Sequence, residues 1–103
     1  MEAERIVAAV LVRKPLESVW KHWTDREEEE EWRDGRHFET VIPFQLVGYV
    51  LGDGRKGCVE FQHIDSNTIV RESFEPDPGS PPDRQRGRCQ ARLDGFKEYI
   101  EAL

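Results

Sequence analysis

The chain has 103 residues, 37% hydrophobic and 35% charged, with a net charge of −6. That length fits one domain, residues 1–103, with a core that is real but not generous. The acidic balance argues against nucleic acid as a partner, because affinity there rests mostly on cations meeting phosphate.

Arg5–Arg13 (RIVAAVLVR) is rich in β-formers, and its apolar residues fall on both faces. That pattern predicts a strand covered in part on each side. Pro15 stands at a favoured first-turn position of a helix. Leu16, Val19, Trp20 and Trp23 follow at the spacing of one helical face. Thr24–Asp25, with Glu27 or Glu28 three residues on, reads as the capping box of a second short helix. The acids Glu27–Glu31 read as a solvated turn, with an acidic docking patch as the alternative. Trp32 is expected to tuck this element back onto the fold, and Gly35 to pivot the next loop.

Phe38–Ile42 is a short strand that Pro43 ends. Leu46–Leu51 is the next, and Gly52-Asp53-Gly54-Arg55 is a turn signal. Gly57–Asp65 and Thr68–Glu75 form a hairpin. With Ser66-Asn67 as its loop, His63 opposes Val70, Phe61 opposes Glu72 and Val59 opposes Phe74. This set faces inward and places His63 and Glu72 among apolar residues. Pro76–Pro82 is a loop. Asp83–Leu103 is a helix with its stripe at Cys89, Leu93, Phe96, Ile100 and Leu103.

The chemistry search yields little. No phosphate loop, nucleophile elbow or metal-ligand spacing is present, so no metal or cofactor is expected. Cys58 and Cys89 make neither a disulfide framework nor a zinc site. Cys89 reads as a small buried hydrophobe. No apolar run reaches the roughly 20 residues of a membrane span, and no signal peptide is apparent. A cytoplasmic protein is the resulting expectation. Arg84, Arg86, Arg88 and Arg92 read as a solvated helix face, with an anion site as the alternative. A carboxylate on an apolar inner face is a perturbed group, and such groups in clefts are site candidates. Glu72 with His63 could act as acid and base, or Glu72 could simply pair with a nearby Arg. Tyr49 could be a hydrogen-bonding handle or a plain sheet aromatic.

Four segments carry a family resemblance. Lys14–Asp25 (KPLESVWKHWTD), Tyr49–Arg55 (YVLGDGR), Val70–Pro76 (VRESFEP) and Gln90–Glu101 (QARLDGFKEYIE) occur in the order of proteins of the Hsp90-ATPase-activator-homologue type. That type belongs to the START-like, Bet v 1-like (SRPBCC) superfamily. The resemblance implies an α+β helix-grip fold. A curved antiparallel sheet of about five strands packs on a long C-terminal helix, with one or two short helices after the first strand. It implies a module for a small apolar ligand, or a chaperone-like one, with no universal catalytic residues. The candidate ligand contacts are Trp23, Tyr49, Phe61, His63, Glu72, Phe74, Cys89 and Phe96. A homodimeric interaction module and a cyclase- or hydrolase-type enzyme using Glu72 and His63 are the alternatives.

Two departures from the resemblance have consequences. A hairpin's worth of sheet is missing before Phe38, so the pocket should be shallow, open or absent. Cys89 stands where relatives commonly carry Trp, and Arg92 where they carry an aliphatic residue. The strand near Phe38 becomes an edge, and such edges invite pairing with a second copy of the chain.

Overall fold

The computed structural model describes residues 5–34 and 37–103; for 26–34 the description extends to the backbone alone. The roles expected of Glu27–Glu31, Trp32 and Gly35 therefore lie outside the described residues. The elements are β1 (Ile6–Val12), α1 (Leu16–Asp34), β2 (His37–Ile42), β3 (Leu46–Val50), β4 (Lys56–Ile64), β5 (Asn67–Phe74) and α2 (Pro82–Glu101). The strands form one antiparallel sheet in the order β1-β5-β4-β3-β2. This is the helix-grip arrangement expected from the sequence.

Among the described residues, helices pack on one face of the sheet. On β1, Ile6, Ala8 and Val12 are buried, whereas Val7 and Leu11 are 45% and 44% exposed. The expectation that β1 is covered on both sides is not met, because both helices lie on the same side of the sheet as the core. That core joins Val12, Val19, Trp23, Val47, Val59, Phe61, Val70, Leu93, Phe96 and Ile100. Val19, Trp23, Val59, Phe61, Val70, Leu93, Phe96 and Ile100 lie on the faces that the pattern assigned inward; Val12 and Val47 come from strands for which the pattern assigned no single inward face.

The two helices expected after β1 are one continuous helix of 19 residues. Thr24 does not cap anything. Its hydroxyl donates back to the Trp20 carbonyl at 2.9 Å, satisfied within the helix it was expected to interrupt.

The β4–β5 hairpin turns one step earlier than expected. Ile64 pairs with Asn67, so the loop is Asp65-Ser66, and Asp65 takes the left-handed conformation with φ 53°. Every pair is displaced by two residues: Phe61 faces Val70 and Val59 faces Glu72. A displacement of two preserves which face each side chain occupies. The inward set survives, while the neighbours within it change.

The two sheet edges are treated differently. α2 runs along β1 and covers its outer side. Gln90 Nε2 donates to the Ala9 carbonyl at 2.9 Å, and Lys97 Nζ donates to the Leu11 carbonyl at 2.8 Å. At the far end, the Arg13 amide donates to Glu101 Oε2 at 2.8 Å. The β2 edge instead leads into exposed apolar side chains, Val41, Ile42 and Phe44. Because α2 lies on β1, its N-terminal half stands away from β3 and β4, and a cleft opens between them.

Candidate functional site

The cleft has a volume of about 570 Å³. Its floor and sheet-side wall are Tyr49, Leu51, Glu72 and Phe74. Its helix-side wall is Gln85, Arg88, Cys89 and Arg92, and Arg55, Asp77 and Ser80 rim it. Residues 85, 88, 89 and 92 are spaced to share one face of α2, as i, i+3, i+4 and i+7. The stripe that is apolar at Leu93, Phe96 and Ile100 thus becomes polar and cationic in the first half of the helix.

Glu72 lies at the centre of the floor and is 1% exposed. β5 holds it opposite Val59. The Tyr49 hydroxyl donates to Glu72 Oε2, and Arg92 Nη2 donates to Glu72 Oε1. Both carboxylate oxygens are occupied, which is how a buried charge is kept in a folded interior. Of the two readings open in the sequence, pairing with an arginine is the one observed. The Arg92 guanidinium also lies 5.9 Å from the centre of the Trp23 ring, within cation–π range.

Cys89 is buried beside this pair. Burial pushes its thiol up, the negative charge of Glu72 pushes it further, and Arg92 offsets part of the effect; the result is about 12. The thiol is therefore protonated and unreactive at neutral pH, as the reading of a small hydrophobe requires.

The structure divides the eight candidate contacts. Tyr49, Glu72, Phe74 and Cys89 come together in the cleft. Trp23, Phe61 and Phe96 pack behind it as an aromatic core. Trp23 meets Phe96 edge-on at 4.9 Å and Phe61 at 6.1 Å. The Trp23 ring nitrogen is buried with no hydrogen-bond partner among the described residues. His63 is in neither group. It is exposed, near Pro15, Leu16, Glu17 and Phe44 at the other end of the sheet.

This placement corrects the proposed acid–base pair. His63 faces Thr68, four residues from Glu72 along β5, so the two lie about 13 Å apart by strand geometry. General acid–base partners must reach a common substrate atom, and these two line different pockets.

Sequence reasoning did not single out Leu51, Arg55 or Gln85, and it carried Arg88 and Arg92 only as part of a solvated helix face or an alternative anion site. The helical spacing of Gln85, Arg88 and Arg92 was the available signal. Gln85 is held to the loop before α2. Its Nε2 donates to the Asp77 and Ser80 carbonyls, and its Oε1 accepts from the Asp77 amide, each at 2.8 Å. No group of three or more His, Cys, Asp or Glu that could hold a metal occurs among the described residues. No helix among them is long and apolar enough to cross a membrane.

No family model matches the chain, and no curated protein matches it. Solved structures do. The AHSA1-like protein from Aeromonas hydrophila superposes with a TM-score of 0.76 at 23% identity, over 93% of this chain and 92% of its own. The Aha1 dimer from Colwellia psychrerythraea matches with a TM-score of 0.68 at 11% identity, over 95% and 93%. A Polyketide_cyc-like protein from Corynebacterium glutamicum matches with a TM-score of 0.62 at 12% identity, over 95% and 93%. At these identities the likeness is one of fold.

Proposed function

Because the chain has the START-like, Bet v 1-like helix-grip fold with a sheet of five strands, we propose that it is a small-ligand-binding module of START type. The observation that carries this reading is the cleft of about 570 Å³ between α2 and the sheet, walled in part by Tyr49, Leu51 and Phe74. That volume lies within the usual range for small-molecule sites, roughly 300–1,000 Å³. Cys89 in place of a large aromatic leaves room beside Glu72 for a ligand. A cytoplasmic setting belongs to this reading, with Cys58 and Cys89 both free thiols.

The test uses N-phenyl-1-naphthylamine, an uncharged dye that brightens in apolar surroundings. The protein should bind it, and Cys89→Trp should abolish binding while leaving the circular dichroism spectrum intact. Unchanged dye binding by a folded Cys89→Trp variant would overturn the proposal.

A second reading rests on the uncovered sheet edge. Val41, Ile42 and Phe44 are 50%, 42% and 44% exposed beside β2. We infer that two copies meet here, extending or covering the sheet at β2, and the dimeric neighbour from Colwellia psychrerythraea lends support. Light scattering after size exclusion should give a dimer that Val41→Lys with Ile42→Lys converts to monomer. A monomer at high concentration in the unaltered protein removes this reading.

A further inference from the structure

We propose that the ligand of the cleft is an amphiphile bearing a single carboxylate, with Arg88 as the residue that receives its charge. The inference rests on the ligand-binding reading above and follows from how the charges lining the cleft are paired.

Five charged residues line it: Arg55, Glu72, Asp77, Arg88 and Arg92. Glu72 and Arg92 neutralise one another. Arg55 Nε is held by Asp53 Oδ2 at 2.6 Å, outside the cleft lining. Asp77 Oδ1 is engaged by the Gly79 amide at 2.8 Å, within its own turn. None of the ion pairs among the described residues involves Arg88. The other two arginines near the start of α2 do not compete for this role. Arg86 pairs with Asp83 at 3.1 Å, and Arg84 is exposed away from the cleft.

Among the described residues, the wall of α2 therefore presents one guanidinium with no ion-pair partner, over a floor whose Glu72 and Arg92 charges are paired. The Asp77 carboxylate at the rim is the other lining charge outside an ion pair, and it lies in the loop before α2 rather than on the helix wall. Arg88 lies one helical turn before Arg92, so an anion held by Arg88 also feels the positive side of the Arg92–Glu72 pair. A guanidinium matches a carboxylate through two parallel hydrogen bonds. Opposite it, Leu51, Phe74 and the Tyr49 ring give an apolar body something to lie against. A cationic ligand would meet Arg88 unfavourably, and a neutral one would leave the exposed guanidinium to water and gain nothing from it.

The experiment compares octanoate with octan-1-ol by titration calorimetry on the whole chain at low ionic strength. Octanoate should bind more tightly, by about fivefold, the scale of a partly exposed ion pair. Arg88→Ala should bring the ratio close to one, Arg88→Lys should retain most of it, and Arg84→Ala should leave it unchanged. Added salt should shrink it. If octan-1-ol binds as tightly as octanoate, or if Arg88→Ala leaves the ratio intact, the proposal fails while the ligand-binding reading stands. If the dye, the alcohol and the acid all fail to bind, the ligand-binding reading fails and takes this inference with it.

Discussion

A carbon added at the Cβ position of Gly57 would stand 2.5 Å from the Tyr49 hydroxyl oxygen. The two residues face one another across β3 and β4, so the tyrosine occupies the space a side chain at 57 would need. The missing side chain is what lets the Tyr49 hydroxyl reach Glu72. Gly57→Ala should therefore destabilise the fold by about 1–3 kcal/mol, the usual cost of overpacking. In a Tyr49→Leu background the same change should cost less, because the obstructing atoms are gone. Urea unfolding of the four proteins checks this. Equal costs in both backgrounds would show that the two residues do not compete for space.

The Glu72–Arg92 pair should respond unequally to removal of its members. Side-chain exposure is 2% for Glu72 and 28% for Arg92. Arg92→Met leaves a buried carboxylate with the Tyr49 hydroxyl and no cation, at a cost of about 3–5 kcal/mol. Glu72→Leu leaves a guanidinium that can turn toward water, and should cost less, about 1–3 kcal/mol. The double variant should recover part of the larger loss. The order of the single variants is the decisive measurement, and the reverse order would contradict the burial argument.

Much of this site was legible before the structure. Period-two patterning placed Glu72 on the inner face, and the helical stripe placed Cys89 against it. The misplaced turn did no harm to those assignments, since Asp65-Ser66 and Ser66-Asn67 loops give the same parity. Turn chemistry cannot separate these overlapping pairs, because Asp and Asn both tolerate the left-handed conformation that Asp65 adopts. The neighbours of Glu72 were a different matter. Its partners come from β3 and α2, and no local pattern fixes how far α2 slides along β1. His63 was misread because inward orientation was equated with burial. The inner face continues past the end of the helices, where a residue can point inward and still meet water.

Cys89 gives a pH prediction. Its thiol is raised from the ordinary 9.0 to about 12, mainly by burial, so the folded chain holds this proton more tightly than the unfolded chain. The resulting stabilisation is complete below pH 9 and is lost as the pH rises toward 12. Unfolding midpoints should fall across that range, and Cys89→Ala should fall less steeply. A matching readout is alkylation with iodoacetamide at pH 8. Half-buried Cys58 should react, whereas Cys89 should react only after denaturant is added. Rapid labelling of Cys89 in the native protein would refute the assignment.

Gln85 ties the loop before α2 to the first turns of the helix. The helix begins after Pro81, which offers no side-chain hydrogen bond at the N-terminus. Gln85 reaches back instead, bonding the Asp77 amide and the Asp77 and Ser80 carbonyls, and it is 8% exposed. Gln85→Ala would free the Asp77 amide and the Ser80 carbonyl, leave the Asp77 carbonyl with the Ser80 amide alone, and should cost about 1–3 kcal/mol. Hydrogen exchange separates this from a general loss of stability. The Asp77 amide should exchange much faster, while amides of β4 and β5 change only in step with global unfolding. Gln85→Glu is the finer test. Its carboxylate can still accept from the Asp77 amide but cannot donate to the two carbonyls. Asp77 protection should therefore survive in part, although the variant loses stability. If Gln85→Glu exchanges at Asp77 as fast as Gln85→Ala, the amide contact is not what holds the loop against the cleft.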